Sequence, residues 1–461
     1  MKKSTSMRLA RASILSFAPR LQRAFASRDD SRCFIHNRNM SRRYTEDKGP
    51  DIFYKRRYNT GMEGPEFSYG LYWALAGRGV IVKDKVFHNL KSTELQNKGA
   101  TTVESLSGVS LYVRGNAVGG VSEISKAHFG KLLKQVTSHI SSISNVFVQD
   151  GTVCSAPSCD AKVRVISDNP SALLSLSDVL WETPSRAVSH DSCPLTVYVA
   201  SSISTGITEA LGLGKKSSTG FAAADVERSS IILCGKAFVD ANAIKDALVA
   251  VAAPVISARG GLPLSARLLA SGDSMVLLFA SEDTISSCPD LHQSLVSLDA
   301  GVVLTSDGVA PFFKTKNPTA SNLLKKPACA VLAASDSTGV LPLVSKLSPG
   351  QAAYHFLAGY QDGKLVPAYS KGPSPIDSLV LAKFFYSQLK DNDIPSFLIN
   401  VHNGWKHITG KDIEKLVASM VSGNLQASKS GATDSKVGEL KGKYNSFLSG
   451  KFQDLPEEFS F

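Results

Sequence analysis

The second half of this 461-residue chain repeats one pattern: a short apolar run, a turn, then a longer segment with helical spacing. The runs are SSIILCG, SMVLLFA, AGVVLTS, ACAVLAAS and SFLINVH, and they lack the polar alternation of a strand with one wet face. Strands of this kind need cover on both faces, and the intervening segments can supply it. One helix is expected around AIKDALVAVAA. A second begins at LSPGQAAYHFLAGY, where Ser348 can cap, Pro349 takes the first helical position and Gln351 completes a capping box. A third is SPIDSLVLAKFFYSQLK. The pattern predicts an α/β domain around a largely buried sheet.

The first half is built from similar parts. ISKAHFGKLLKQVTSHI reads as a helix capped by Ser125, with Phe129, Leu132, Leu133, Val136 and Ile140 on one face, and the strand NVFVQD follows it. AKVRVIS and LTVYVAS read as further strands. Between the halves, GLGKKSSTG (212–220) fails as a phosphate loop because Lys216, not a hydroxyl residue, follows Gly214-Lys215. It reads as a solvated linker. The apolar stretch ALVAVAAPVISA is too short to span a bilayer and is divided by Pro254, so a core helix, and no transmembrane segment, is expected. Residues 426–461 read as a flexible segment followed by a C-terminal helix.

Residues 1–28 contain no acid, many Ser and Ala, and basic residues among apolar ones at helical spacing, the pattern of a mitochondrial transit peptide. Residues 29–65, rich in Arg, Asn and Tyr with little periodicity, read as an extended basic arm that orders against a partner. The net charge of +11 is concentrated here: residues 1–45 hold eleven Lys or Arg against Asp29 and Asp30, leaving 40 basic against 38 acidic residues in the body. A nearly neutral body argues against a nucleic-acid-binding domain, whereas the arm offers a contact to rRNA phosphate. The seven cysteines form no CxxC pair, which fits a reducing compartment and no zinc module; Cys154 and Cys159 read as buried thiols.

In this order, these segments resemble ATP-dependent phosphoenolpyruvate carboxykinases. The resemblance rests on ISKAHFGKLLKQVTSHISSISNVFVQD followed by KVRVISDNPSALLSL, on CAVLAASDSTGVLPLVSKLSPGQAAYHFLAGY, on FLINVHNGW, and on the final helix with Leu440, Tyr444, Phe447 and Phe452. Within the longest of these, Asp336, Gly339, Val340, Pro342, Leu347, Gln351, Ala352, Phe356, Gly359 and Tyr360 sit as in the family. The resemblance implies a two-domain α/β fold with mixed sheets, preceded here by the arm. It would place an N-terminal domain at 66–211, a linker at 212–220 and a degenerate mononucleotide-binding domain at 221–425.

The family's functional residues have poor counterparts. Lys91 and Thr93 stand for the arginine and proline of its carboxylate-binding motif. Ala243 and Ile244 fall where its lysine pair would be, with Lys245 one place late, and Pro263 falls near its metal-ligand histidine. The phosphate loop falls on FASEDTISSC, where Ser286 replaces lysine, Ser287 replaces threonine, and Glu282 and Asp283 stand among lost glycines. A triphosphate needs glycine amides and a cation, so this loop argues against nucleotide chemistry. The resemblance would make Asp299 a remnant of the family's metal-binding acids, whereas a lone Asp without its partners reads by itself as a turn or capping residue. His402 and His407, and His190 near Cys193, lack a third ligand at a diagnostic spacing, and no nucleophile elbow is visible. The expectation is therefore a pseudoenzyme without cofactor or metal, in the mitochondrial matrix or on the matrix face of the inner membrane. It would serve as a structural subunit among other subunits of a large assembly. The mitochondrial ribosome is favoured, with a respiratory-chain or ATP synthase complex as one alternative and residual carboxykinase-like activity as another.

Overall fold

The computed structural model describes residues 69–115, 122–182, 195–203, 219–315, 324–361, 363–367, 375–403, 406–425 and 433–461. The expected leader and arm, most of the 212–220 linker, His190, Cys193 and the side chain of His407 lie outside the described residues. The chain divides into two compact units, Met1–Val82 and Lys83–Phe461. In the first, Tyr69–Ala76 is a helix. The second holds two cores.

The first core is organised by a nine-stranded mixed sheet. Asn145–Val153 and Ala161–Ser167 form an antiparallel pair, and Leu195–Ala200 and then Ser230–Gly235 extend the sheet in parallel. Gly220–Asp225 turns back against Ser230–Gly235 and pairs in parallel with Ser110–Arg114. Strands from both sides of 212–220 thus share one sheet. This moves the expected division: the first core continues through Gly235 into the helix Ala241–Ala258, whose Ile244, Leu248 and Val251 belong to the same hydrophobic cluster as Val163 and Val197. Sequence spacing could not reveal this, because a glycine-rich connection looks the same inside a sheet as between domains. Ala241–Ala258, with Pro254 inside it, is mostly buried, in keeping with a core helix. The expected helix Lys126–Ser142 is present, and the Ser125 hydroxyl accepts a hydrogen bond from the His128 amide.

The second core surrounds a five-stranded sheet ordered Arg267–Ser271, Ser274–Phe279, Cys329–Ala334, Ser396–Asn400, Val344–Leu347. Its three middle strands are parallel and buried throughout apart from the first residue, Ser274, as their continuous apolar runs require. The helices Pro349–Leu357 and Ser378–Asp391 cover one face. Phe279 meets Phe356 at 5.7 Å and Phe385 at 5.4 Å, both edge to face, which fixes the end of Ser274–Phe279 against both helices. The opposite face is closed by Gly410–Val421, a helix with a Thr409/Asp412 capping box that was not anticipated. The C-terminal helix Asp434–Lys451 packs Leu440, Tyr444 and Leu448 into the first of these faces.

Candidate functional site

In a parallel α/β sheet, binding sites form beyond the carboxyl ends of the strands. The segment after Ser274–Phe279 is therefore the place to examine, and it is not the loop expected from sequence. Glu282–Ser287 is a short helix whose cap is Ser281, the hydroxyl accepting from the Thr284 amide at 3.1 Å. Glu282 and Asp283 occupy its first turn, where carboxylates are favoured by the positive end of the helix dipole. The local reason for the helix is thus the same serine and acids that made the segment look like a polar turn.

Arg267 supports this helix from below. Its side chain is 1% exposed, and its guanidinium donates to the Leu298 carbonyl at 2.7 Å, to the Ala280 carbonyl at 3.3 Å and to Glu282 Oε1 at 2.6 Å. Glu282 is therefore held by a buried cation and does not stand as a bare negative charge. In return, that cation is committed to the protein's own acceptors.

Beside the second core, Ser335–Asp336 at the end of Cys329–Ala334 forms a polar knot. Asp336, fully buried, accepts from the amides of Thr338 at 2.9 Å and Leu341 at 2.7 Å and from the Thr338 hydroxyl at 2.5 Å. Asn400 receives the Asp336 and His402 amides on its side-chain oxygen and donates to the Asp336 and Leu341 carbonyls. Every bond runs to nearby backbone or to the same turn, so the knot shapes a strand end. His402 Nδ1 lies 3.4 Å from the Ser335 hydroxyl.

A second cluster joins residues that the resemblance had set apart. Lys245 Nζ pairs with Asp299 Oδ2 at 2.5 Å, bringing together the displaced lysine and the remnant acid from positions far apart in the chain. They line a cavity of about 40 Å³ with Asn242, Ser265, Phe312 and Phe313. A water needs roughly 10–15 Å³ of such space, so this volume suits a few waters. Pro263 is buried in the strand Leu262–Leu264, next to this cavity in sequence, and brings no ligand atom. Ser286 and Ser287 lie on the short helix, and Lys91 is the exposed cap residue of the helix Ser92–Asn97, which contains Thr93. Among the described residues, no three His, Cys, Asp or Glu side chains converge as a metal site.

Sequence reasoning missed one constellation. Asp168 accepts from the amides and hydroxyls of Ser201 and Ser202, and His139 Nε2 lies 3.1 Å from Asp168 and 2.9 Å from the Ser202 hydroxyl. Burial raises the Asp168 pKa, but the hydrogen bonds from Ser202, Ser201 and His139 outweigh it and hold the carboxyl below its usual range. The residue types are those of a hydrolase triad, but a triad uses opposite ring nitrogens for acid and nucleophile. Here both meet the same nitrogen, so the group is a clamp between two strand ends and the helix Lys126–Ser142. The signal available in sequence was a Ser-Asp and a Ser-Ser pair, each following a buried strand.

These features define a mixed α/β protein with a parallel strand-to-helix junction in its second core. Comparison with known proteins finds a likeness confined to parts of the chain. The model of the phosphoenolpyruvate carboxykinase family matches residues 304–365, the segment that carries the Asp336 knot and the helix Pro349–Leu357. Similar proteins include phosphoenolpyruvate carboxykinase (ATP) of Flavobacterium johnsoniae, 36% identical over 84 residues, covering 15% of each chain. Those of a Bradyrhizobium species and of Christiangramia forsetii are 29% identical over 163 residues and 30% over 113, covering 27% and 20% of this chain and 30% and 21% of theirs. The matched stretches thus span less than a third of these relatives' lengths. Over these stretches the chain is similar to ATP-dependent phosphoenolpyruvate carboxykinases.

Proposed function

We propose that this chain is a non-catalytic structural subunit of a large mitochondrial assembly, the mitochondrial ribosome in the first instance, built on a carboxykinase scaffold. The observation that carries this reading is the segment Ser281–Ser287. A triphosphate site needs close backbone approach and an unengaged ammonium or guanidinium. Here the segment is a serine-capped helix with two acids in its first turn, and the nearby Arg267 is spent on carbonyls and on Glu282. The acid-free leader supports import to the matrix, and the Arg- and Tyr-rich residues 29–65 support attachment to neighbouring subunits and rRNA.

Two other readings have an observation each. The near balance of 40 basic and 38 acidic residues beyond residue 45 suits an accessory subunit of a respiratory-chain or ATP synthase complex. The cavity at Lys245 and Asp299 suits a scaffold that retains a vestige of its relatives' chemistry. Native fractionation of mitochondria with mass spectrometry separates them. We expect the protein in a high-mass particle together with rRNA. Recovery in a membrane complex free of rRNA selects the first alternative, and recovery wholly as free monomer overturns the structural role.

A further inference from the structure

The helix Tyr69–Ala76, with the sequence YGLYWALA, carries no charged side chain. Its end is set locally. Gly79 has φ of 80°, its amide donates to the Ala76 carbonyl at 3.0 Å, and the Val80 amide donates to the Leu75 carbonyl at 3.0 Å, the paired bonds of a Schellman motif. Leu75 and Val80, the positions whose apolar contact accompanies that motif, are buried, and so is Leu71 one turn earlier. At about 100° per residue, Trp73 stands nearly opposite Leu71 and Leu75, and it is 76% exposed.

Six large apolar side chains are exposed among the described residues, and three of them, Tyr72, Trp73 and Ile81, fall within ten residues here. A helix apolar on every side is ordinarily enclosed by protein or by lipid, and exposed apolar patches mark interaction surfaces. Three observations favour lipid. Trp and Tyr are the side chains that collect at membrane–water interfaces, with the ring towards the acyl chains and the N–H or O–H among the headgroups. From Gly70 to Gly77 no other polar side chain is present, whereas a protein interface surrounds its apolar centre with a polar, hydrogen-bonding rim. Between Glu66 and Asp84 the charged side chains are Arg78 and Lys83, both cations, and the cluster Lys55-Arg56-Arg57 precedes the helix in sequence, a charge pattern that complements an anionic leaflet. The helix has eight residues. It rises about 12 Å, far short of the roughly 30 Å of a hydrocarbon core, so it can lie in the interface but not cross the bilayer.

We propose that Tyr69–Ala76 is an interfacial docking helix that seats Trp73, Tyr72 and Ile81 in the headgroup boundary of a bilayer containing anionic lipid. The apolar side chains supply the insertion and the flanking cations supply the attraction; stable attachment takes two such signals together. Because Leu71 and Leu75 are already buried, the face offered to lipid is the one left over, and docking requires no rearrangement of the fold. The docking surface is independent of the assembly proposed above.

The test uses the full-length protein and vesicles of phosphatidylcholine with and without cardiolipin, prepared also with brominated acyl chains that quench nearby tryptophan. The chain has three tryptophans, and Trp73→Phe, which keeps an aromatic ring, assigns the signal. Wild-type protein is expected to sediment with cardiolipin vesicles, its emission shifted to the blue and quenched by the brominated chains. In Trp73→Phe the sedimentation persists and the quenching is lost. Trp73→Ser, confirmed as folded by circular dichroism, should bind at least about tenfold more weakly, because one large apolar side chain no longer leaves water. Sedimentation without quenching places the attachment elsewhere in the chain and overturns the proposal. So does equal binding to phosphatidylcholine alone. A dimer in lipid-free solution that Trp73→Ser dissociates assigns the face to a second copy and also overturns it. The quenching is read on the wild-type chain and decides the matter even if Trp73→Ser fails to fold.

Discussion

Arg267 shows how one residue can decide what a segment becomes. Its guanidinium is buried against two carbonyls, while its carboxylate partner Glu282 is about half exposed. Removing the arginine leaves both carbonyls without a donor, at about 1–3 kcal/mol for each buried unsatisfied group. Removing only the charge of Glu282 loses a largely solvated ion pair, worth about 1 kcal/mol or less. Arg267→Met is therefore expected to lower unfolding free energy by roughly 3 kcal/mol, and Glu282→Gln by under about 1 kcal/mol, in urea titrations. Equal losses would show that the ion pair, and not the carbonyl contacts, holds the helix. None of this was legible in sequence, where Arg267 lies fifteen places from Glu282 with a strand between them. The Ser125 and Ser348 caps were legible, because each acts on an amide three residues away.

At the scale of elements, the helix Pro349–Leu357 and the C-terminal helix Asp434–Lys451 meet through a buried histidine. His355 packs its ring against Tyr444 at 5.3 Å and Phe461 at 5.5 Å, and its Nδ1 has no hydrogen-bond partner. Burial alone lowers its pKa to about 4, so the folded protein holds it neutral. An unfolded chain binds the proton near pH 6.5, and stability therefore falls as pH drops from about 6.5 towards 4. Between pH 7 and 5 the loss from this group is about 2 kcal/mol. His355→Phe, which keeps the aromatic packing, should remove that part of the slope in denaturant titrations at the two pH values; an unchanged slope would place the titration elsewhere. Asp150 and Asp168, depressed in the fold by bonds that outweigh burial, lend stability that is lost only at lower pH, as they are protonated. The packing also explains Gly350, where a Cβ would stand 1.9 Å from the Glu458 carbonyl: the chain's last residues lie directly on the start of this helix.

At the scale of the molecule, the proposed loss of nucleotide chemistry has a direct consequence. A ligand that binds only the folded state at a hundred times its dissociation constant adds about 2.7 kcal/mol of stability. Mn²⁺ alone, or ATP with Mg²⁺, should leave the melting temperature of the folded protein unchanged and give no calorimetric binding heat. A clear upward shift with either would return the cavity at Lys245 and Asp299 to service and would favour an enzyme.

The sequence by itself determined the α/β class, most of the strands and several helix caps, because apolar runs and capping signals act over a few residues. It also carried the resemblance in the segment around Asp336 and Pro349–Leu357. Tertiary structure alone decided that the strands flanking 212–220 share one sheet, that Lys245 reaches Asp299, and that Arg267 meets Glu282. Those pairings join residues separated by whole elements, and only the closing of the sheets brings them within bonding distance. The short helix Glu282–Ser287 belongs to both levels: its cap was written locally, but its place at the end of a buried parallel strand, over a buried arginine, came from the fold.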